Sequence, residues 1–75
     1  MRTIEHDVAE RVTQALEEFD IDSECFIDEH GNVTSMQTDE LSPAQRTAAM
    51  AIGRKNGFRV YGAHECVQFF PKAAE

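Results

Sequence analysis

Residues 41–57 read LSPAQRTAAMAIGRKNG, and this stretch carries the signals for both ends of one helix. Ser42 and Gln45 form a capping-box pattern, and Pro43 between them suits the first helical position. Gly57 predicts the end of the helix, because glycine readily adopts the left-handed conformation that closes one. We therefore expect one helix that starts at the proline and ends one residue before the glycine.

The expected inner face of this helix is a stripe of small and aliphatic side chains at helical spacing. It comprises Leu41, Ala44, Ala48, Ala51 and Ile52. Small side chains on the stripe would allow the helix to approach a sheet closely.

Two segments with a period of two follow, and they predict a hairpin. Residues 58–61 and 66–70 alternate around a turn at 62–65. The expected cross-strand pairs are Tyr61 with Cys66, Val60 with Val67, and Phe58 with Phe69. One face would then be fully apolar, and the other would carry Arg59, Tyr61, Cys66, Gln68 and Phe70. Pro71 should end the last strand, and residues 72–75 are expected to fray.

The first half of the chain repeats the order of helix and hairpin. Helical spacing from Thr3, an expected N-cap, to Phe19 defines an apolar stripe of Ile4, Val8, Val12, Ala15, Leu16 and Phe19. The opposite, solvated face would hold His6, Glu10, Thr13, Gln14 and Glu17.

A hairpin is then expected over residues 24–37, with a type I turn and a glycine bulge at residues 28–31. Its expected register pairs Ile27 with Val33 and Cys25 with Ser35, and puts Phe26 and Met36 on the other face. Which face is buried stays open at this point.

These elements predict a single α+β domain over residues 1–75 with the order α-β-β-α-β-β. Four antiparallel strands with two helices packed on one face would bury the apolar stripes. Cys25 and Cys66 fall on different hairpins, and we expect two free thiols, since a reducing compartment favours them.

The charge is unevenly distributed along the chain. Residues 1–40 hold twelve acidic and two basic residues, a net of −10, whereas residues 41–75 hold two acidic and five basic residues, a net of +3. The total of −7 disfavours direct binding to nucleic acid, which needs clustered Lys and Arg. The acidic half either keeps the protein soluble, with the later bases neutralising part of it, or meets a basic partner.

The candidate partner-binding residues are acidic side chains of the first half and two aromatic residues of the last hairpin. They are Glu10, Glu17, Glu18, Asp20, Asp22, Asp28, Glu29, Tyr61 and Phe70. The aromatic pair, with Arg59 nearby, also permits a weaker alternative in which single-stranded RNA stacks on the sheet, but the RNA-recognition signature is absent.

Catalytic and metal chemistry lack their usual patterns. His6, His30 and His64 show none of the paired spacings with each other or with cysteine that hold zinc. No glycine-rich phosphate loop is present, and a nucleophilic cysteine would need an orienting group and a concave pocket. We therefore expect no enzyme activity, no metal and no cofactor.

The second half resembles small anti-CRISPR proteins of bacteriophages. The shared pattern is an Ala/Met-rich helix at 43–52, a short strand, a tight turn with glycine, and a strand that ends in Phe70-Pro71. The small size and the acidity are also similar to phage inhibitors that imitate DNA, such as the uracil-DNA glycosylase inhibitors. The resemblance implies a binder without activity of its own, and it assigns no site residue.

The leading expectation is a phage-borne inhibitor that acts in the cytoplasm of a bacterial host. It would bind a basic protein surface of a CRISPR or other nucleic-acid-binding complex, by protein contact or DNA mimicry. The alternative is a regulatory or assembly module that forms a homodimer through its sheet. Neither hypothesis involves a membrane, because the sequence has no long apolar segment and no signal-peptide pattern.

Overall fold

The chain forms two helix–hairpin units that share one sheet. The computed structural model describes residues 3–72. Its elements are α1 (His6–Glu17), β1 (Ser23–Ile27), β2 (Val33–Thr38), α2 (Pro43–Lys55), β3 (Phe58–Ala63) and β4 (Cys66–Pro71). The predicted α+β class and element order are confirmed. In the described range, neither helix is long and apolar enough to cross a bilayer.

All strand pairs are antiparallel, and the sheet order β1-β2-β4-β3 makes β1 and β3 the edges. Helix α1 packs on β1 and β2, α2 packs on β3 and β4, and the helices touch each other. Val12 and Leu16 from α1 meet Met36, Val67 and Phe69 from the central strands, and all five are fully buried. The core therefore lies between the helices and one face of the sheet, and the other face is open to solvent.

The ends of α2 agree with the sequence signals. Ser42 Oγ accepts a hydrogen bond from Gln45 N at 3.2 Å, and Ser42 N donates to Gln45 Oε1 at 3.1 Å, which completes the capping box. Gly57 has a φ of 82° beyond the last turn. The confirmed signals are local, because each depends on residues three or four positions apart.

The predicted inner stripe of α2 is partly wrong. Ala44 and Ala51 are exposed, and the buried helix positions are Ala49 and Gly53. A Cβ built on Gly53 would lie 2.5 Å from the Phe69 ring, so the helix approaches the sheet at its glycine. Alanines occur on several sides of α2, so the hydrophobic pattern does not define which side of the helix is buried.

Helix α1 is shorter than the spacing predicts. Glu5 is its N-cap, without a side-chain hydrogen bond, and Thr3 does not cap it. Ile4 is buried ahead of the helix, where its N–H donates to Val33 O at 2.7 Å. Beyond the helix, Asp20 adopts a φ of 59°. The chain then reverses, which leaves Phe19 exposed and buries Ile21 in its stead.

The register of the first hairpin differs from the prediction at one pair. Ile27 pairs with Val33 as expected, but Cys25 pairs with Met36 instead of Ser35. An irregularity next to Phe26 inserts one extra residue into β2. Met36 therefore turns toward the helices, and its expected place beside Phe26 is wrong. The expected turn is confirmed by the hydrogen bond from Gly31 N to Asp28 O at 3.1 Å.

The second hairpin is shifted by two residues from the predicted register. Val60 pairs with Phe69, Gly62 with Val67, and Tyr61 with Gln68 instead of Cys66. The turn needs only two residues because His64 adopts a φ of 56°. Since side chains alternate with a period of two, this shift leaves every residue on its predicted face.

Candidate protein-binding surfaces

The acidic side chains of the first half form no ion pairs with Arg or Lys in the described residues. All twelve are exposed except Asp28, which is half-buried. Over residues 3–72, no Arg or Lys forms an ion pair with a carboxylate, and the single pair of any kind joins Glu29 to His30 at 3.5 Å. The described residues therefore contain no ion pair by which the later bases would neutralise the acidic half.

The arginines have other contacts. Arg11 Nε donates to Asn56 Oδ1 at 3.2 Å, and Arg46 donates to His64 O. Arg59 lies 6.0 Å from the centre of the Tyr61 ring. Arg11 and Arg46 therefore link the helices to neighbouring elements, and Arg59 lies on the outer face of the sheet. None of the three forms an ion pair with the acidic surface in the described residues.

One group of acids collects at the carboxyl end of α1. Glu17, Asp20 and Asp22 border a shallow depression of about 350 Å³, and Glu18 is the C-cap residue. The last turn of α1 contains no basic residue. A helix carries partial negative charge at this end, so acids there lower the stability of the fold.

A second feature is an open groove of about 550 Å³ between α1 and β1. Ala9, Glu10 and Glu17 line its helix side, while Cys25 and Ile27 line its sheet side. His6, Glu10, Gln14 and Glu17 are exposed, as the sequence predicts, and the same side of α1 borders this open groove. Ala9 and Thr13, the two small residues of α1 in the lining, leave space beside the edge strand.

Ile27 is the most exposed large hydrophobic residue of the described chain, at 63%. Cys25 is also exposed, and partial burial of its thiol raises the pKa of Cys25 above the ordinary value. The sequence did not reveal this site. An apolar strand at the edge of the sheet would indicate such a site. The strand order that puts β1 at the edge is not encoded by any local sequence pattern.

Asp28 and Glu29 lie in the β1–β2 turn, at the end of β1 remote from the α1 acids. Asp28 Oδ1 accepts hydrogen bonds from His30 N at 2.8 Å and Asn32 N at 2.9 Å. The bond from Asn32 is the largest of the causes that hold the pKa of Asp28 below its ordinary range. Asp28 therefore stabilises the turn, whereas the carboxylate of Glu29 is exposed and lies beside His30.

The two aromatic candidates lie on the outer face of the sheet, away from the helices. The Tyr61 and Phe70 rings pack edge to face at 5.6 Å. Tyr61 is 49% exposed, and Phe26 on β1 is 44% exposed on the same face. The predicted set of nine residues is thus divided among the groove, the α1 end, the turn and the outer face.

Cysteine and histidine form no larger cluster. His64 and Cys66 border a shallow depression with Glu40 and Glu65, and residues 3–72 contain no group of three side chains placed to hold a metal ion. Cys25 and Cys66 are free thiols on opposite faces of the sheet, so a bridge between them would require the sheet to open.

Comparisons with protein-family models, with curated proteins and with solved structures find no match to this chain.

Proposed function

We propose that this protein is a non-enzymatic inhibitor that binds a basic protein surface of a nucleic-acid-handling complex. The observation that carries the proposal is the set of exposed acids without Arg or Lys partners in residues 3–72. Carboxylates on a rigid fold can replace phosphates at a surface built for nucleic acid, because both offer negative oxygen acceptors to Arg and Lys.

The placement of the acids favours a binding role over solubility alone. Solubility needs net charge anywhere on the surface. Glu17, Glu18 and Asp20 instead lie at the helix end where negative charge is unfavourable, and Asp22 adds to the same repulsion. Charges held at a cost in stability are typical of functional surfaces.

The resemblance to anti-CRISPR proteins makes a CRISPR effector complex the first target to test. Bacteria with active CRISPR immunity would express the protein, and the efficiency of plaquing by a targeted phage would be measured. We expect expression to raise plaquing, and the variant Glu17→Lys with Glu18→Lys to lose this effect. The control, Glu40→Lys with Glu65→Lys, changes the net charge equally beside the β3–β4 turn and should remain active.

A panel of CRISPR types, together with affinity capture from bacterial lysate, extends the test to other complexes. The proposal predicts that the wild type retains nucleic-acid-binding proteins and that salt releases them, since exposed charge pairs are screened. Equal capture by the wild type and the Glu17/Glu18 reversal variant, at low and high salt, would contradict it.

The outer face of the sheet supports a second candidate, a module that forms a homodimer. Tyr61, Phe70 and Phe26 offer aromatic area that no helix covers in the described chain. Sedimentation velocity separates the two candidates. A dimer that resists salt and dissociates in Tyr61→Ser would favour assembly, and a monomer would favour a heterologous partner.

A further inference from the structure

The edge strand β1 is the least covered strand of the sheet. Four of its five residues are exposed, and two of these, Phe26 and Ile27, are large and apolar. Natural edge strands are usually protected against pairing by Lys, Pro or a covering element. Strand β1 reads SECFI and contains neither Lys nor Pro.

The hydrogen bonds at its two ends show which backbone groups are free to pair. Asp22 O accepts from Asp39 N at 3.1 Å, and Asp28 N donates to Asn32 O at 3.0 Å, so even-numbered positions bond to β2. Alternate residues of an antiparallel strand direct their N–H and C=O to opposite sides. Ser23, Cys25 and Ile27 therefore direct theirs to the open edge.

The same odd-numbered residues turn their side chains toward the helices. Cys25 and Ile27 form the sheet side of the groove under α1. In an antiparallel sheet, residues that exchange hydrogen bonds point their side chains to the same face. A strand added beside β1 would thus place every second side chain in the groove, against Ala9 of α1.

We propose that β1 takes up an extended basic segment of the protein partner as a fifth, antiparallel strand, with apolar side chains in the groove. This inference rests on the proposed function and names the structure of the bound segment. Charge selects the occupant: Glu24 lies on β1 at an even-numbered position, whose side chain points away from the groove, and Asp22 precedes the strand. Lys or Arg at alternate positions of the segment would meet these carboxylates.

The same charges exclude a second copy of this chain as the occupant. Antiparallel pairing of β1 with β1 would bring Asp22 and Glu24 of one copy near the acids of the other. Like charges across neighbouring strands are destabilising. The edge is therefore protected against self-pairing and open to a basic strand.

The test uses a capped peptide of alternating lysine and valine, about seven residues long, titrated into the ¹⁵N-labelled protein. We expect shifts in the amide signals of Ser23, Cys25 and Ile27, and slower hydrogen exchange at these amides. A version N-methylated at every valine cannot donate to β1 and should lose binding. The version N-methylated at every lysine keeps those donors and should bind.

Matched variants separate the groove from the outer face. Ile27→Ser should weaken the peptide by about tenfold, because a large apolar contact is lost. Phe26→Ser alters the same strand on the other face and should leave the affinity unchanged. Circular dichroism and the amide spectrum establish that both variants are folded.

Each contrary outcome is distinct. Strand addition would be overturned by equal binding of the two N-methylated peptides, by amide shifts centred on Tyr61, or by dimers that form through β1. In each of these cases the proposed function would stand if the Glu17/Glu18 reversal variant no longer raised plaquing. Strand addition with unchanged plaquing and lysate capture in that variant would instead overturn the proposed function.

Discussion

Gly53 shows how one missing side chain sets the distance between α2 and the sheet. A Cβ at this position would come within 2.5 Å of the Phe69 ring and 2.7 Å of Val60 Cγ2. Helix propensity alone would make Gly53→Ala stabilising by about 1 kcal/mol. We expect overpacking to reverse the sign and to destabilise the fold by about 1–3 kcal/mol. Urea unfolding measures the change in the free energy of unfolding. A stabilised variant would show that Phe69 and Val60 move to accommodate the added Cβ at little cost.

Asp28 gives the β1–β2 turn a dependence on pH. Its pKa is lowered chiefly by the hydrogen bond from Asn32 N, so the ionised form is favoured in the folded state. The stabilisation is complete above the unfolded pKa, about 3.9, and is lost as the pH falls through the lower folded pKa. Asp28→Asn should therefore reduce the melting temperature at neutral pH, and the difference from the wild type should shrink in acid.

The start of α2 depends on a capping box that also contacts the other helix. Gln45 Nε2 donates to Phe19 O at 3.1 Å, just beyond the end of α1. Ser42→Ala should cost about 1 kcal/mol, as is usual when an N-cap is removed. Gln45→Ala should cost more, because it breaks both the box and the link to α1. Chemical unfolding of both variants checks the order, and equal losses would make the link to α1 negligible.

The elements could be predicted from the sequence wherever local chemistry decides them. Ser42 and Gly57 fix the ends of α2 through neighbours in the chain. The buried side of α2 could not be predicted, because Gly53 is selected by a contact with Phe69, which lies far along the sequence. The pairing of Cys25 was also missed, since an extra residue in β2 leaves no pattern of its own.

At the scale of the molecule, the sequence predicted the charge of the candidate surface but not its arrangement. Counting residues locates twelve of the fourteen acids in the first forty positions. Their division between the α1 end and the β1–β2 turn follows from the antiparallel path of the chain. The groove depends on the strand order, which puts β1 at an edge beside α1.

Binding and stability are expected to oppose each other in the acidic surface. Glu17 and Glu18 lie at the negative end of α1, where the last turn has no basic residue. Glu17→Lys with Glu18→Lys replaces unfavourable charges by favourable ones and relieves repulsion with Asp20 and Asp22. The melting temperature should rise by about 3 °C at low salt, and less at high salt because the interaction is screened.

The control variant, Glu40→Lys with Glu65→Lys, changes the net charge equally beside the β3–β4 turn. A rise in the melting temperature of this control would measure the effect of reducing the negative net charge. Any additional rise in the Glu17/Glu18 reversal variant would measure the effect of the charges at the end of α1. A variant that is more stable than the wild type and no longer binds would separate the two properties, because unfolding could not explain the loss. A lower melting temperature would show that these carboxylates support the fold, and it would contradict a binding role maintained at a cost in stability.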